Sequence, residues 1–353
     1  MTGGRVSSGR LPEIVEGVLA GQVRAIARAI SQIENDGPRA QGLLAALHPH
    51  TGRAHIVGVT GPPGSGKSSL VNALALHFRH ACGEQRPMTA GIIAIDPTSP
   101  FSGGAILGDR IRMRDLTGDR GIYIRSMASR GSLGGLAWAT SDAVKVLDAA
   151  GFDLIFVETV GAGQAEVDIA RTAHTTIVVE VPGLGDDIQA IKAGILEIAD
   201  VFAVNKADLD GADHAVTALQ MMLDLSTGGA HTVMHHGRLM EAVTGGDEAA
   251  SPAAGAAAGW RPPIFKTVAT HREGIACVAD AILAHRAHLK QSGDLAWRER
   301  ARAASELETI IQQESLREVL SRTSQAEMSA LIDRIVRREV DPYTAATGLL
   351  GNR

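Results

Sequence analysis

The segment Gly61-Pro62-Pro63-Gly64-Ser65-Gly66-Lys67-Ser68 constrains the fold of this chain more than any other feature. It fits the pattern G-x-x-x-x-G-K-[ST], in which backbone amides of a glycine-rich loop surround the phosphates of a nucleoside triphosphate. An apolar, β-branched segment (residues 56–60) precedes it, and a helical pattern (residues 70–76) follows it. A strand, a loop and a helix in this order are the setting that the motif requires. The sequence therefore predicts a phosphate-binding loop.

Two residues at the end of this loop are expected to carry chemistry. Lys67 should reach the β- and γ-phosphates and act in catalysis, and the Ser68 hydroxyl should bind Mg²⁺. We predict that Ser69 and the remaining loop residues also contact the nucleotide.

Composition limits the other functions that this chain can have. A formal net charge of −5 argues against a nucleic-acid binder, because affinity for a phosphate backbone requires a basic surface. No run of about 18 apolar residues is present, so we expect no membrane-spanning helix. Residues 1–10 lack the apolar segment of a secretory signal, and Cys82 and Cys277 are expected to be reduced thiols. These features favour a cytoplasmic location.

Short apolar runs alternate with helical patterns after the loop, and they predict an α/β fold. A parallel sheet covered by helices on both faces produces this pattern, as in the P-loop nucleotide triphosphatases. We expect an N-terminal helical extension at 1–50, a P-loop domain at 51–289 and a C-terminal helical arm at 290–353. The arm carries apolar stripes that must be covered by the core or by a second subunit. The predicted strands cover residues 91–96, 153–158, 175–181 and 201–205, with a last strand near 264–268.

Residues 226–262 are predicted to be a flexible insertion, because Ala, Gly, Ser and Pro dominate much of the segment. The segment contains His231, His235 and His236, which are candidate metal ligands. No cysteine or carboxylate completes a ligand set with them. We therefore favour solvent-exposed loop histidines.

The sequence Asn205-Lys206-Ala207-Asp208 directly follows a predicted strand and has the pattern N-K-x-D, which selects guanine. The Asp208 carboxylate can accept hydrogen bonds from N1–H and from the exocyclic amine of guanine, whereas adenine lacks this pair of donors. Asn205 is expected to bind the base edge and the loop, and the Lys206 stem to lie across the ring. Thr267-Val268-Ala269 lies where GTPases add a second, looser contact with the base. We therefore expect GTP and GDP as ligands.

The sequence Glu158-Thr159-Val160-Gly161 occupies the place of the D-x-x-G motif of other GTPases. Glu158 should hold Mg²⁺ directly or through water, and the Gly161 amide should meet the γ-phosphate. Gln164 is the candidate for positioning the attacking water, although it is displaced from the residue directly after the glycine. We therefore predict slow hydrolysis that awaits a partner. Asp96 and Asp109, which flank a glycine-rich switch segment, are further candidate Mg²⁺ ligands.

Together these motifs resemble the MeaB/ArgK/MMAA family of P-loop GTPases. Further matching segments are IRSMASRGSLGGL at 124–136, ETVGAGQAE at 158–166 and GDDIQAIKAGILEI at 185–198. The resemblance covers most of residues 11–345.

The resemblance implies a homodimer that acts as a G-protein chaperone of an adenosylcobalamin-dependent acyl-CoA mutase, typically methylmalonyl-CoA mutase. Such a chaperone gates cofactor loading and protects or reactivates the mutase. The resemblance also implies an additional switch around Gly183–Gly194, with Asp186, Asp187 and Lys192 as its charged members.

Two other functions remain open at this point. A GTPase metallochaperone that delivers nickel or zinc would use the histidines of the insertion. An ATP-dependent kinase linked to amino-acid transport agrees poorly with the guanine motif at Asn205–Asp208.

Overall fold

A seven-stranded parallel sheet forms the centre of the computed structural model. The structure describes residues 10–35, 37–80, 86–97, 116, 118–129, 135–159, 169, 172–183, 197–226, 233–235, 238–240 and 259–351. The chain divides into two units, residues 1–295 and 296–353.

The sheet has the strand order β3-β2-β4-β1-β5-β6-β9. Its strands are β1 (His55–Thr60), β2 (Ala90–Pro97), β3 (Ile122–Ser129), β4 (Leu154–Glu158), β5 (Thr175–Glu180), β6 (Val201–Asn205) and β9 (Ile264–Thr267). Two short strands, β7 (Val233–His235) and β8 (Arg238–Met240), form an antiparallel pair within the segment predicted to be a flexible insertion. The predicted parallel sheet is confirmed, with β3 as a strand that the sequence analysis did not identify.

The helices of the first unit precede, connect or follow these strands. They are α1 (Arg10–Leu19), α2 (Val23–Asn35), α3 (Gly37–Leu47), α4 (Lys67–Arg79), α5 (Gly135–Ala149), α6 (Ala212–Ser226) and α7 (Ile275–Ser292). Helix α8 (Asp294–Arg322) leads into the second unit, where α9 (Gln325–Val336) and α10 (Pro342–Gly351) follow. No helix in the described part of the chain is both long enough and apolar enough to cross a lipid bilayer.

Helices cover both faces of the sheet because its strands are apolar on both sides. On one face, Leu70 and Leu74 of α4 and Ile282 of α7 pack in the same cluster as Val57 and Phe156. On the other face, Ile26 and Ile30 of α2 pack with α5 and with Ile56, Ile93 and Ile155. Each fully buried side chain of this size contributes about 1.5–3 kcal/mol. The central strands are therefore firmly held, and β1 can present a loop at its carboxyl end.

Strand β1 separates two groups of strands in the sheet, and this division fixes the position of the site. From β1 the chain goes to β2, β3 and β4 on one side, and β5, β6 and β9 extend the sheet on the other. Open parallel sheets bind ligands in the crevice at the carboxyl ends of the strands where the order reverses. Here that crevice lies at the ends of β1, β4, β5 and β6.

Candidate nucleotide-binding site

The loop between β1 and α4 depends on glycine at three positions. Gly61, Gly64 and Gly66 have φ of 140°, 77° and 89°, values that other residues rarely adopt. A Cβ atom on Gly61 would lie 2.1 Å from the carbonyl oxygen of Val179 in β5. On Gly66 it would lie 2.4 Å from Nδ2 of Asn205. The loop is therefore pressed against the neighbouring strands, with room for backbone only.

Lys67 begins α4 and its ammonium group turns back onto the loop. Its Nζ donates hydrogen bonds to the carbonyl oxygens of Gly61, at 2.9 Å, and Pro62, at 3.0 Å. The side chain is buried, with 5% of its surface exposed. A buried ammonium group must be satisfied by acceptors, and these carbonyls satisfy part of that requirement. The arrangement keeps a positive charge at the mouth of the loop.

Ser68 and Glu158 come together from two different elements. The Ser68 hydroxyl, on the first turn of α4, donates to Oε1 of Glu158 at the end of β4 at 2.6 Å. The residue after Glu158 is Thr159, whose hydroxyl donates to the Thr60 hydroxyl at 3.1 Å. Hydroxyl and carboxylate oxygens are the ligands that Mg²⁺ prefers. The donor set of Ser68 and Glu158 therefore fits the ion predicted here.

Asn205 connects the phosphate-binding loop with the strand β9 and the loop after it. Its Nδ2 donates to the carbonyl oxygen of Ser65 at 2.8 Å. Its Oδ1 accepts from the Thr267 hydroxyl at 3.2 Å and from the Ala269 amide at 3.1 Å. All atoms of this network are buried, where each hydrogen bond resists replacement by water. One side chain therefore fixes three segments at the edge of the crevice.

Lys206 and Asp208 leave β6 on a tight turn and are exposed. Lys206 has a φ of 56°, its carbonyl oxygen accepts from the Leu209 amide, and the Ala207 amide donates to the Thr267 carbonyl oxygen at 3.0 Å. Polar side chains such as asparagine tolerate this backbone conformation better than lysine does, so its use here is unusual. The turn leaves both charged side chains accessible to a ligand.

The loop after β9 is closed by its own backbone. Val268 and Glu273 exchange two hydrogen bonds, of 3.1 Å and 3.2 Å. Gly274, with φ of 72°, follows them, and a Cβ atom there would lie 2.1 Å from the Lys266 carbonyl oxygen. This closure holds Ala269 beside Asn205. The second segment predicted to contact the base, Thr267–Ala269, is thus held in one conformation by the protein itself.

The structure thus brings the residues from 61 to 69 together with Glu158, Asn205 and Thr267–Ala269. Asp96 lies in β2, one residue before the end of the strand. Gly161, Gln164, Asp109, His231 and His236 lie outside the described residues, as do Asp186, Asp187 and Lys192. Within the described ranges, no group of three or more His, Cys, Asp or Glu side chains is arranged to hold a metal ion.

Two residues that contribute to the site were not singled out from the sequence. Thr60 ends β1 and Thr159 directly follows β4, next to Glu158, and the two hydroxyls are hydrogen-bonded to each other. The sequence did show a threonine beside each motif, Thr60 before the phosphate-binding loop and Thr159 after Glu158. Threonine is common in strands, however, so this signal does not distinguish a site residue from a strand residue.

Comparison with known proteins identifies a family. The sequence profile of the family described as "Methylmalonyl Co-A mutase-associated GTPase MeaB" matches residues 26–324. A protein of Pyrococcus abyssi that is named as a GTPase is 46% identical over 340 residues, which are 96% of each chain. The GTPase ArgK of Escherichia coli is 36% identical over 220 residues, covering 61% of this chain and 65% of its own.

Two further similarities extend this result. The mitochondrial methylmalonic aciduria type A homolog of Caenorhabditis elegans is 35% identical over 212 residues, covering 56% of this chain and 52% of its own. Among solved structures, the one titled "Crystal structure of LAO/AO transport system kinase" matches with a TM-score of 0.66 and 22% identity. It covers 98% of each chain. At this identity the structural match supports the fold alone.

Proposed function

Since the chain belongs to the MeaB family of mutase-associated GTPases, we propose that it is a GTP-dependent chaperone of an adenosylcobalamin-dependent acyl-CoA mutase. Its enzymatic class is that of a GTP hydrolase, as the family and the relatives' names state. In the proposed role, nucleotide state governs how the protein loads, protects or reactivates the mutase. Methylmalonyl-CoA mutase or a close relative is the proposed client.

The observation that carries the nucleotide part of the proposal is the network of Asn205. This side chain holds the Ser65 carbonyl on one side and the Ala269 amide on the other. The phosphate-binding loop and both base-contacting segments therefore have a fixed spacing before a ligand arrives. A preformed site loses little conformational freedom on binding. Asp208, exposed on the adjacent turn, is the residue that we assign to the guanine donors.

We propose the remaining roles from the same geometry and, for Asp96 and Asp109, from the sequence pattern. Lys67 exchanges the carbonyls of Gly61 and Pro62 for the β- and γ-phosphate oxygens and stabilises the charge that develops in the transition state. The loop amides contact the phosphates. Ser68 and Glu158, joined by Asp96 and Asp109, hold Mg²⁺, which supplies charge neutralisation at the phosphates when bound.

Hydrolysis by this site is proposed to be slow in the absence of the client. Glu158 replaces the shorter aspartate of most GTPases and already accepts from Ser68 at 2.6 Å. Gln164 is the residue that we propose to position the attacking water, from a displaced position in the sequence. A catalytic group that must be brought into place by a partner gives the partner control over the rate. The segment at 183–194 is the proposed second switch that senses the mutase.

Base recognition is tested most directly by Asp208→Asn. The amide offers one acceptor oxygen in place of two, so one charge-assisted hydrogen bond is lost and the other loses its charge, and we expect GTP affinity to fall by about 100-fold or more. The same amide can donate to the second carbonyl of xanthine, so affinity for xanthosine triphosphate should rise. Titration with fluorescent nucleotides measures both effects.

Asp210→Asn is the matched control for this experiment, because Asp210 is an exposed carboxylate two residues further along the same turn. It should bind GTP like the unaltered protein. If Asp208→Asn and Asp210→Asn have equal affinities for GTP, the assignment of Asp208 is wrong. Lys67→Ala should abolish turnover in parallel, and full GTPase activity in that variant would contradict the whole site.

A homodimer is proposed from the apolar surface of the second unit. In α8 and α9, all of whose residues are described, no side chain is buried. Several large apolar side chains on α8 are instead exposed, including Leu307 at 59% and Ile311 at 55%. Contiguous exposed apolar surface of this kind marks an interaction site. We propose that a second copy of the chain covers it.

The dimer is tested by replacing Leu307 and Ile311 with glutamate, because charges on an apolar contact surface oppose association. We expect sedimentation equilibrium to show a dimer for the unaltered protein and a monomer for the double variant. Gln312→Glu, which adds a charge at an exposed polar neighbour, should remain dimeric. A monomeric unaltered protein would refute the proposal.

The client is tested by capture from a bacterial lysate with immobilised protein in GTP-analogue and GDP states. We expect a cobalamin-dependent mutase in one state and less of it in the other. The absence of any such mutase in both states would contradict the proposed partner. Cytoplasmic location is proposed with it, in keeping with the free, exposed thiol of Cys277.

A further inference from the structure

A second polar network lies at the opposite end of the same sheet, where β1, β5 and β6 begin. His55 is the first residue of β1, Thr175 is the first of β5, and Asp200 directly precedes β6. His285 reaches them from the middle of α7. All four side chains are buried, His285 and Thr175 completely. Nothing in the proposed nucleotide chemistry uses these residues.

The four groups form a continuous chain. The Thr175 hydroxyl oxygen lies 2.7 Å from Nε2 of His55 and 2.9 Å from Nδ1 of His285. On its far side, Nε2 of His285 lies 3.3 Å from Oδ1 of Asp200. The other oxygen of Asp200 accepts from the Thr176 amide at 2.8 Å. The chain thus connects α7 to the first residues of β1 and β5 and to the residue that precedes β6.

The chemistry of a hydroxyl limits how many protons this chain can hold. Thr175 has one hydrogen to donate, and each of its two neighbours is an imidazole nitrogen. When one imidazole donates to the hydroxyl, the other must accept from it. A first proton placed on Nε2 of His285 would lie 3.3 Å from the Asp200 carboxylate. A second proton, on His55, would leave the Thr175 hydrogen without an acceptor and place two like charges in a buried site.

The surroundings reinforce this limit. The His174 ring lies 5.4 Å from that of His55, and Nδ1 of His174 accepts from the Ile56 amide at 3.2 Å. From α7, Arg286 and Lys290 add positive charge. On the remaining side, the Trp260 ring lies 4.7 Å from His285 and 5.5 Å from His288 and donates to the Asp200 carbonyl oxygen. Asp200 is the negative group that faces this cluster, so added protons meet mainly positive neighbours.

We propose that His55, Thr175, His285 and Asp200 form a proton-sensitive lock that fastens α7 to the amino end of the sheet and is weakened at mildly acidic pH. Burial, followed by the neighbouring His174 and Arg286, lowers the pKa of His55 from 6.5 to about 2. In the unfolded chain the same imidazole takes up its proton near its ordinary pKa of about 6.5. Between pH 2 and pH 6.5, the state in which His55 is released therefore binds more protons than the closed state. The stabilisation of the closed state by His55 is complete above pH about 6.5 and is lost as the pH falls below it.

The experiment compares the full-length protein with His55→Gln and His288→Gln. The Gln side chain retains an amide donor near the position of Nε2 but does not titrate. The unfolding equilibrium constant, measured by urea titration, should rise in both proteins as the pH falls below about 6.5. In the unaltered protein the rise per pH unit should be about tenfold larger than in His55→Gln. His288→Gln, on the same helix but outside the chain, should retain the pH dependence of the unaltered protein. Equal pH dependence in His55→Gln and the unaltered protein would overturn the proposal.

Hydrogen exchange locates the opening. In the unaltered protein, amides of α7 should exchange about tenfold faster at pH 5.5 than at pH 7.5, after correction for the intrinsic exchange rate. The reason is that His55 takes up one proton each time the lock opens at the lower pH. Unchanged protection of α7 would contradict the lock.

If His55→Gln does not fold, nitrogen-labelled histidine in the unaltered protein provides the test. A ring of His55 that remains neutral at pH 5 supports the lock. A ring that titrates near pH 6.5 refutes it.

Discussion

The two ends of one sheet carry polar groups of opposite kinds. At the carboxyl end, glycines with positive φ, backbone amides and the exposed Asp208 surround a crevice. At the amino end, the imidazoles of His55 and His285 are closed in by β1, β5, β6 and α7. Polar groups at the first end surround the proposed nucleotide site, and those at the second are enclosed between the strands and α7. The comparison indicates that a polar residue in an apolar strand serves binding or stability according to which end of the strand it occupies.

The largest expected effect comes from adding one carbon atom at the carboxyl end, in Gly61→Ala. The new Cβ would lie 2.1 Å from the Val179 carbonyl oxygen, and backbone of a central strand cannot move aside. With the unfavourable φ of 140°, we expect about 3–5 kcal/mol of destabilisation and loss of nucleotide binding. Urea unfolding and nucleotide titration measure the two effects.

Gly64→Ala separates the two causes in Gly61→Ala. Gly64 also has a positive φ, of 77°, but a Cβ atom there would have no neighbour within 4 Å. The conformational cost alone is about 1–2 kcal/mol. If both variants lost equal stability, the close approach of the loop to β5 would not be the cause.

The next effect concerns the two polar residues of one motif, Asn205 and Asp208. Asn205→Ala removes the partner of the buried Ser65 carbonyl, the Thr267 hydroxyl and the Ala269 amide. We expect about 2–4 kcal/mol of destabilisation, because buried groups are left without partners. Asp208→Asn, at an exposed position, should change the free energy of unfolding by less than about 0.5 kcal/mol. An Asn205→Ala variant as stable as Asp208→Asn would show that the network does not hold the site together.

Much of this fold could be predicted from the sequence for a physical reason. Strands of a parallel sheet are covered on both faces, so residues 91–96 and 201–205 appear as apolar runs. Strand β3 was missed because it pairs only with β2 at the edge, and Arg125 and Ser126 interrupt its apolar pattern. The boundary between α1 and α2 was missed as well. Gly21, with φ of 66°, ends a helical pattern that otherwise continues.

The site was predictable only where its residues lie together in the sequence. The loop at 61–68 and the motif at 205–208 are recognisable because the chemistry requires their spacing. The amino-end network has no such pattern, since His55, Thr175 and His285 are separated by more than 100 residues each. Only the pairing of β1 with β5 and the packing of α7 bring them together. Their absence from the sequence analysis reflects that dependence on tertiary structure.

The most direct comparison of the two ends comes from one substitution at each end, with smaller expected effects than those of Gly61→Ala and Asn205→Ala. Thr175→Val and Thr267→Val each replace a buried hydroxyl by a methyl group of similar size. Thr175→Val leaves two imidazole nitrogens without their partner, so we expect about 1–3 kcal/mol of destabilisation and unchanged nucleotide affinity. Thr267→Val removes one of two donors to Asn205 Oδ1, so about 1 kcal/mol and a several-fold loss of nucleotide affinity are expected. Because the Ala269 amide still holds Asn205, the second loss should be the smaller in stability. Nucleotide affinity that fell equally in both variants would mean that the amino end also takes part in binding, and the division between the two ends would no longer hold.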